Sequence, residues 1–251
     1  LELIMEPSMA ERTTLGFGGR ALAEAVIRDE AALDGLPAAL SRLGGKPLAL
    51  GRGSNLLVRD GMLDLALVRA AKADPPEILD ERGGRARVRV CAGMALPRLL
   101  SWLAGQGLSG LEGLSGVPGS VGGAVAMNAG SYGREICDKL VSVRIFSLDR
   151  GMVELEREKI SAGYRRFAPS VSGFWLVWEA VLLLDKSDPT RIKAEMRGAK
   201  LGAVGFSELH ANFLVNYGGG ESRDALEIMD RAERAVLEKF DVQLEREVVV
   251  L

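Results

Sequence analysis

Residues Gly113 to Gly130 read G-L-S-G-V-P-G-S-V-G-G-A-V-A-M-N-A-G, with glycine at 113, 116, 119, 122, 123 and 130. A stretch this poor in side chains lets backbone N–H groups lie directly against a flat or charged ligand, a diphosphate first among them. Surface loops also collect Gly and Pro. They seldom carry Leu114, Val117, Val121, Ala124, Val125, Ala126 and Met127 in the same run, so the segment is expected to be packed inside and to bind a cofactor.

A second glycine cluster follows a short apolar strand at Leu48 to Asp60, L-A-L-G-R-G-S-N-L-L-V-R-D. Glycines in this turn admit positive φ, and the Ser54 hydroxyl and Asn55 amide suit phosphate oxygens or exposed backbone groups. The two beds are expected to hold one extended ligand. A dinucleotide fingerprint fits poorly, because Leu56 stands where its third glycine belongs and the chain runs to Asp60-Gly61 rather than into a helix. A P-loop is excluded, since no Gly-Lys-Ser/Thr closes either cluster.

The 251 residues suffice for a large core and two or three sub-domains. With 32 basic and 34 acidic residues scattered along the chain, net charge is −2, and no nucleic-acid or anionic-membrane footprint is present. Cys91 and Cys137 lack zinc or redox-pair spacing and read as buried packing residues of a reducing compartment. The first residues show no basic n-region, and the longest apolar stretch, Phe174 to Leu184, is short and interrupted by Glu179. The expectation is a cytoplasmic enzyme without nucleic-acid or membrane partners, working as a monomer.

Leu48 to Leu50, Leu65 to Val68, Arg87 to Cys91, Asp138 to Leu148, Met152 to Leu155 and Phe174 to Leu184 read as strands, with a hairpin turn at Asp149-Arg150-Gly151. Leu96, Leu99, Leu100, Leu103 and Ala104 recur at helical spacing, predicting a helix with one buried face that Gly107 ends. A second helix is expected from Arg223 to Phe240, capped by Ser222, with Ala225, Met229, Ala232, Val236 and Phe240 as its stripe. His210 falls in an alternating, strand-like segment; alone, it builds no metal site. No metal is expected.

An ordered series of motifs resembles the UDP-N-acetylenolpyruvoylglucosamine reductase family of peptidoglycan synthesis. It runs through T-T-L-G-F-G-G at Thr13 to Gly19, similar to the family's opening strand, then G-R-G-S-N-L at Gly51 and L-S-G-V-P-G-S-V-G-G-A-V-A-M-N-A-G-S-Y-G at Leu114. G-Y-R at Gly163, S-E-L-H-A-N-F-L-V-N at Ser207 and L-E-R-E-V at Leu244 complete it. The resemblance implies an α+β fold: an FAD-binding core of two subdomains, like that of vanillyl-alcohol oxidase, with a smaller α/β substrate-binding domain. We expect the core at residues 1–185, divided at about 70, the substrate domain at 186–242, and a terminal strand at 243–251 returning to the core.

The resemblance also implies non-covalent FAD, NADPH as reductant and a UDP-sugar substrate, UDP-N-acetylglucosamine enolpyruvate, reduced to UDP-N-acetylmuramate. Expected flavin contacts are Gly51, Arg52, Gly53, Ser54, Asn55 and Leu56 in the first bed. In the second they are Ser115, Gly116, Val117, Pro118, Gly119, Ser120, Gly122, Gly123, Asn128 and Gly130. Arg165 matches the family's arginine, a fixed charged fork beside the substrate carboxylate and enolate oxygen, and Glu247 matches its tail acid. Tyr132 to Tyr164 leaves no room for the tyrosine-bearing insertion of some members, so the chain is similar to the shorter variant.

One element is missing. The family's proton-donor serine lies in a G-S-x-F-x-N-P segment before S-E-x-H-A-N, and between Asp185 and Ser207 the chain is shorter than that connection by roughly forty residues. We expect a flap near Lys200 carrying the serine, with Lys200 and Leu201 set apart. The alternatives are a flavin-binding homologue without a donor and a different oxidoreductase on the same FAD fold.

Overall fold

The computed structural model describes every residue except 15, 17, 57, 132, 133, 196–199, 202, 203, 208, 209, 217–221, 241, 242 and 244–251. Leu1–Glu195 forms one compact unit and Met196–Leu251 a second.

The first unit starts with β1 (Glu2–Met5), β2 (Arg20–Ile27), helix α1 (Leu36–Leu43), β3 (Lys46–Ala49) and β4 (Met62–Ala70). These strands make a four-stranded sheet in the order β1-β2-β4-β3, in which β2 and β3 both run parallel to β4. Parallel strands are covered on both faces and read as near-continuous apolar runs. Strand β2 is such a run, with Ala21, Ala23, Ala25, Val26 and Ile27 all buried. Thr13 to Gly19 was expected as a strand, but the chain turns there. Gly16 (φ +72°) and Gly18 (φ +120°) lie in the left-handed region, which a strand cannot accommodate, and the strand begins only at Arg20.

A second sheet takes over with β5 (Glu77–Arg82) and β6 (Arg85–Cys91), followed by α2 (Leu96–Gly105), β7 (Leu108–Ser109), the short helix α3 (Val121–Ala126), β8 (Gly130–Ser131) and β9 (Arg134–Glu135). Next come β10 (Leu140–Ser147), β11 (Gly151–Glu156), the hairpin β12 (Ile160–Gly163) and β13 (Arg166–Pro169), β14 (Trp175–Lys186) and α4 (Pro189–Glu195). The sheet is antiparallel, ordered β11-β10-β14-β6-β5, with β7 added at the end of β14. Strand β6 alternates as a one-sided strand should: Ala86, Val88 and Val90 are buried while Arg85, Arg87 and Arg89 face water. Helix α2 buries the predicted stripe in full. One core cluster joins the sheets, with Ala25, Ile27, Ala66 and Val68 of the first packed with Phe146, Leu176 and the fully buried Trp178 of the second.

In the second unit, β15 (Lys200–Leu201), β16 (Val204–Ser207) and β17 (His210–Asn216) form an antiparallel meander, followed by α5 (Ser222–Phe240). The expected parting at Lys200 is not there: Lys200 and Leu201 are consecutive residues of one strand, paired with Gly205 and Val204. Within α5, Met229, Ala232 and Val236 are half-buried, and the side chains of Ala225 and Phe240 lie outside the described residues. The terminal strand expected over 243–251 also falls outside them, apart from Gln243. Helix α4 belongs to the first unit, which ends at Glu195.

Candidate active site

All three parallel strands of the first sheet end at one cavity of about 470 Å³. Arg28 follows β2, Gly51 and Arg52 follow β3, and Arg69 and Ala70 close β4; Arg12, Thr13, Thr14, Gly93 and Ser120 complete much of the wall. Ligands of α/β sheets gather outside the carboxyl ends of parallel strands, because loops and unpaired backbone groups converge there. Four arginines face this volume against a single acid, Glu11.

Two of those arginines are held from behind. Glu24 of β2 is completely buried; it accepts a hydrogen bond from Arg12 Nε at 3.1 Å and is ion-paired with Arg69 Nε at 2.7 Å. A carboxylate taken out of water needs such partners, and in return it fixes both guanidinium groups at the cavity mouth. The far wall is held by another ion network. Lys72, whose carbonyl accepts the Gly93 amide, contacts Glu179 at 3.0 Å, and Arg144 contacts the same carboxylate at 2.9 Å. Burial alone pushes the Glu179 carboxyl up, but Lys72 and Arg144 together outweigh it and hold the group below its ordinary range. The hydrogen bond to Glu179 likewise raises Lys72.

The two glycine beds meet at this cavity. Ser54 Oγ donates to Pro118 O at 3.1 Å, and a Cβ placed on Gly51 would stand 2.5 Å from Ser120 Oγ. Ser120 caps α3 by accepting the Gly123 amide. A helix through Gly122-Gly123 runs against propensity, at about 1 kcal/mol per glycine. Packing explains it: a Cβ on Gly122 would lie 2.8 Å from Ala92 Cβ, and the Val121 and Gly122 amides donate to Met94 O and Ala92 O.

Of the residues expected to contact the flavin, Gly51, Arg52 and Ser120 line the cavity. Gly53 (φ +62°) instead packs against the Arg12–Thr13 backbone, and Leu56 joins the apolar cluster of Met9, Leu50 and Leu67. Ser115 is 1% exposed, with its hydroxyl directed inward. Gly116, Val117, Pro118, Gly119, Gly123 and Gly130 are half-buried, while Asn55 is exposed. Asn128 spends both amide donors inside the protein, on Glu135 Oε2 and Gly163 O. Sequence reading missed Arg12, Arg28 and Arg69. Their position at or opposite the ends of parallel strands was the available signal.

Arg165 sits at the exposed tip of the β12–β13 hairpin, where Gly163 pairs with Arg166 and only Tyr164 and Arg165 make the turn. Its guanidinium lies 5.7 Å from the Tyr164 ring centroid. Its φ of +50° is rare for a residue with a side chain. Glu247 lies outside the described residues. Cys91 and Cys137 are both buried and unpaired, and burial pushes the Cys137 thiol up to about 11. Among the described residues no cluster could hold a metal ion, and no helix is long and apolar enough to cross a membrane.

These residues suit a diphosphate-bearing cofactor. The Gly51 and Arg52 amides donate to no acceptor among the described residues, and the guanidinium groups that line the same cavity are of the kind that form charge-assisted bonds with phosphate oxygens. The fold and site define an FAD-binding flavoprotein. Residues 23–155 match the family model for an FAD binding domain, and residues 192–251 match that for the C-terminal domain of UDP-N-acetylenolpyruvoylglucosamine reductase. A reductase of that name from Nitratidesulfovibrio vulgaris is 41% identical over 292 aligned positions, covering 100% of this chain and 99% of the relative. The crystal structure of the reductase (MurB) from Thermus caldophilus superposes with a TM-score of 0.63 at 28% identity, covering 98% of this chain and 97% of that one. A solvent-stable cholesterol oxidase shares the fold of 67% of this chain, spanning 36% of its own, with a TM-score of 0.50 and 18% identity. The chain belongs to the UDP-N-acetylenolpyruvoylglucosamine reductase family.

Proposed function

We propose that this chain binds FAD without a covalent link and uses NADPH to reduce the enolpyruvyl group of UDP-N-acetylglucosamine enolpyruvate, giving UDP-N-acetylmuramate for the cell wall, as a cytoplasmic monomer. The observation that carries the reading is the meeting of two glycine beds at an arginine-walled cavity, in a chain of this family. When bound, FAD supplies the redox chemistry, taking a hydride from NADPH and yielding it to the substrate double bond.

The protein's own contribution is electrostatic. Arg12 and Arg69, pre-oriented by Glu24, with Arg28 and Arg52, hold the cofactor's phosphates, and the close-packed beds fix its position. Hydride addition to the double bond leaves negative charge beside the substrate carboxylate. Arg165 stabilises that charge with a permanently ionised fork already in place. A proton then completes the addition, and Glu247 is proposed to act on it as an acid.

The shortening favours a second reading. Alignment with the Nitratidesulfovibrio relative needs 292 positions for a chain of 251 residues, and the sequence has no G-S-x-F-x-N-P segment before Ser207. On this reading the protein is reduced by NADPH but passes the hydride on poorly. Anaerobic stopped-flow separates the two. Rapid bleaching by NADPH followed by reoxidation with the enolpyruvyl sugar supports the reductase; bleaching without reoxidation supports the second reading. A protein that takes up no FAD overturns both.

A further inference from the structure

Arg165 is held in an unusual backbone conformation, and the structure shows what holds it. Helix α3 ends in a Schellman motif: the Ala129 amide donates to Ala124 O at 2.7 Å and the Asn128 amide to Val125 O at 3.0 Å, with Asn128 left-handed at φ +42°. Glycine is the usual residue at that position, since it adopts the conformation without cost. Asparagine tolerates it and adds a side chain, and here every part of that side chain is engaged. Buried to 1% exposure, it accepts the Cys137 amide on Oδ1 at 3.2 Å and donates from Nδ2 to the Glu135 carboxylate and, at 3.0 Å, to the Gly163 carbonyl.

Gly163 is the last residue of β12, two positions before Arg165. A second strut supports the same hairpin: Arg157 donates from Nε to Cys137 O and from Nη1 to Ile160 O, both at 2.9 Å. The hairpin is therefore hung from residues 128–137 at two points. Left-handed backbone at a non-glycine residue persists only where its surroundings impose it. We propose that Asn128, buttressed by Glu135, is a positioning residue that sets the Tyr164-Arg165 turn, and with it the Arg165 guanidinium, from the end of the second glycine bed. It acts through Arg165 rather than on the flavin, because both its donors are spent. The proposal rests on the assignment of Arg165 to the substrate.

The test uses the FAD-loaded full chain. Asn128→Gly keeps, and even suits, the left-handed helix cap while deleting the clasp. Expected are unchanged FAD content and trypsin cleavage after Arg165 accelerated about tenfold, because the tip is released. Titration of the flavin spectrum with UDP-N-acetylglucosamine enolpyruvate should show binding weakened by about 10-fold to 100-fold, the scale of a misplacement near 1 Å. In the Asn128→Gly/Arg165→Lys double variant, binding should be no weaker than with Arg165→Lys alone. If Asn128→Gly does not fold, Glu135→Ala is read by the same criteria, and Glu135→Gln should restore the parent behaviour. An unchanged tryptic rate, loss of FAD, or additive losses in the double variant overturns the proposal. If Arg165→Lys alone leaves the titration unchanged, the assignment of Arg165 falls instead, and the tryptic rate still decides whether the clasp exists.

Discussion

Gly51→Ala tests whether the contact between the two beds builds the cavity. Gly51 does not have positive φ, so the substitution introduces no backbone strain. It does introduce a Cβ at 2.5 Å from Ser120 Oγ, with every other heavy atom at 3.7 Å or beyond. The hydroxyl must swing away, abandoning the Gly123 amide it caps, at a cost of about 1 kcal/mol. Any remaining overlap adds about 1–2 kcal/mol of overpacking. The sum, about 2–3 kcal/mol, lowers the melting temperature by about 4–12 °C in a chain of this size. Ser120→Ala alone loses only the cap, about 1 kcal/mol. In the double variant the obstructing oxygen is gone, and the new methyl meets the residue-120 Cβ at an ordinary 3.7 Å. Gly51→Ala/Ser120→Ala should therefore be about as stable as Ser120→Ala and regain most of the FAD affinity lost in Gly51→Ala. Thermal unfolding and fluorescence titration with FAD read both quantities. Additive destabilisation in the double variant, or a Gly51→Ala protein as stable as the parent, would refute the reasoning.

Arg165→Lys should leave bleaching by NADPH intact and slow reoxidation by the enolpyruvyl sugar by about 10²–10⁴, since a point charge replaces a planar fork; stopped-flow traces that slow equally in both phases would contradict it. Glu179 has a folded pKa below its ordinary value near 4.5, so its contribution to stability is full above that value and is lost as pH falls through the folded one. Chemical denaturation as the pH is lowered from about 6 to about 3 should show a steeper loss in the parent than in Glu179→Gln. Cys137, with its thiol near 11, has about one thiolate in a thousand at three units below that value, so at neutral to mildly alkaline pH a thiol reagent should label it only at the rate of unfolding; rapid labelling of the folded protein would show that the site opens locally.

Where periodicity and burial agree, the elements could be read directly. Helix α2 declares itself by five apolar residues at helical spacing, and β6 by strict alternation of arginine with Ala and Val. Helix α3 could not be read, because two adjacent glycines speak against a helix and the contacts that override them, with Ala92 and Met94, come from a distant part of the chain. Thr13 to Gly19 was read as extended by resemblance, whereas Gly16 and Gly18 take left-handed backbone there. The glycine beds were legible as places of close approach. What approaches was only partly legible: Gly53 and Gly122 make room for other backbone and side chains of the protein, and only Gly51 among the bed glycines borders the cavity. Of the arginines that give the cavity its charge, Arg52 belongs to the first bed's motif, while Arg12, Arg28 and Arg69 belong to none. Each is placed by the end of a parallel strand or by a buried glutamate, and that pairing exists only once β2 and β4 lie side by side.

The division of the chain separates the chemistry into two parts with different sequence requirements. Every residue described at the cavity, from Glu11 to Ser120, and the Arg165 hairpin with its Asn128 clasp lie in Leu1–Glu195. The glycines, arginines and ion networks that the proposed function assigns to cofactor binding are all present there. In the proposed function, the shortened stretch before Ser207 and Glu247 belong to the other half-reaction, where a proton must reach the carbon next to the one that took the hydride. On the proposed assignment, charge stabilisation by Arg165 would lower the barrier to forming the enolate but deliver no proton, so a chain could keep the first capacity and be slowed in the second without any change at the glycine beds. The dependence of the reoxidation rate on solvent deuteration discriminates between the two. A rate limited by protonation falls severalfold in heavy water, while one limited by hydride transfer from the flavin changes little.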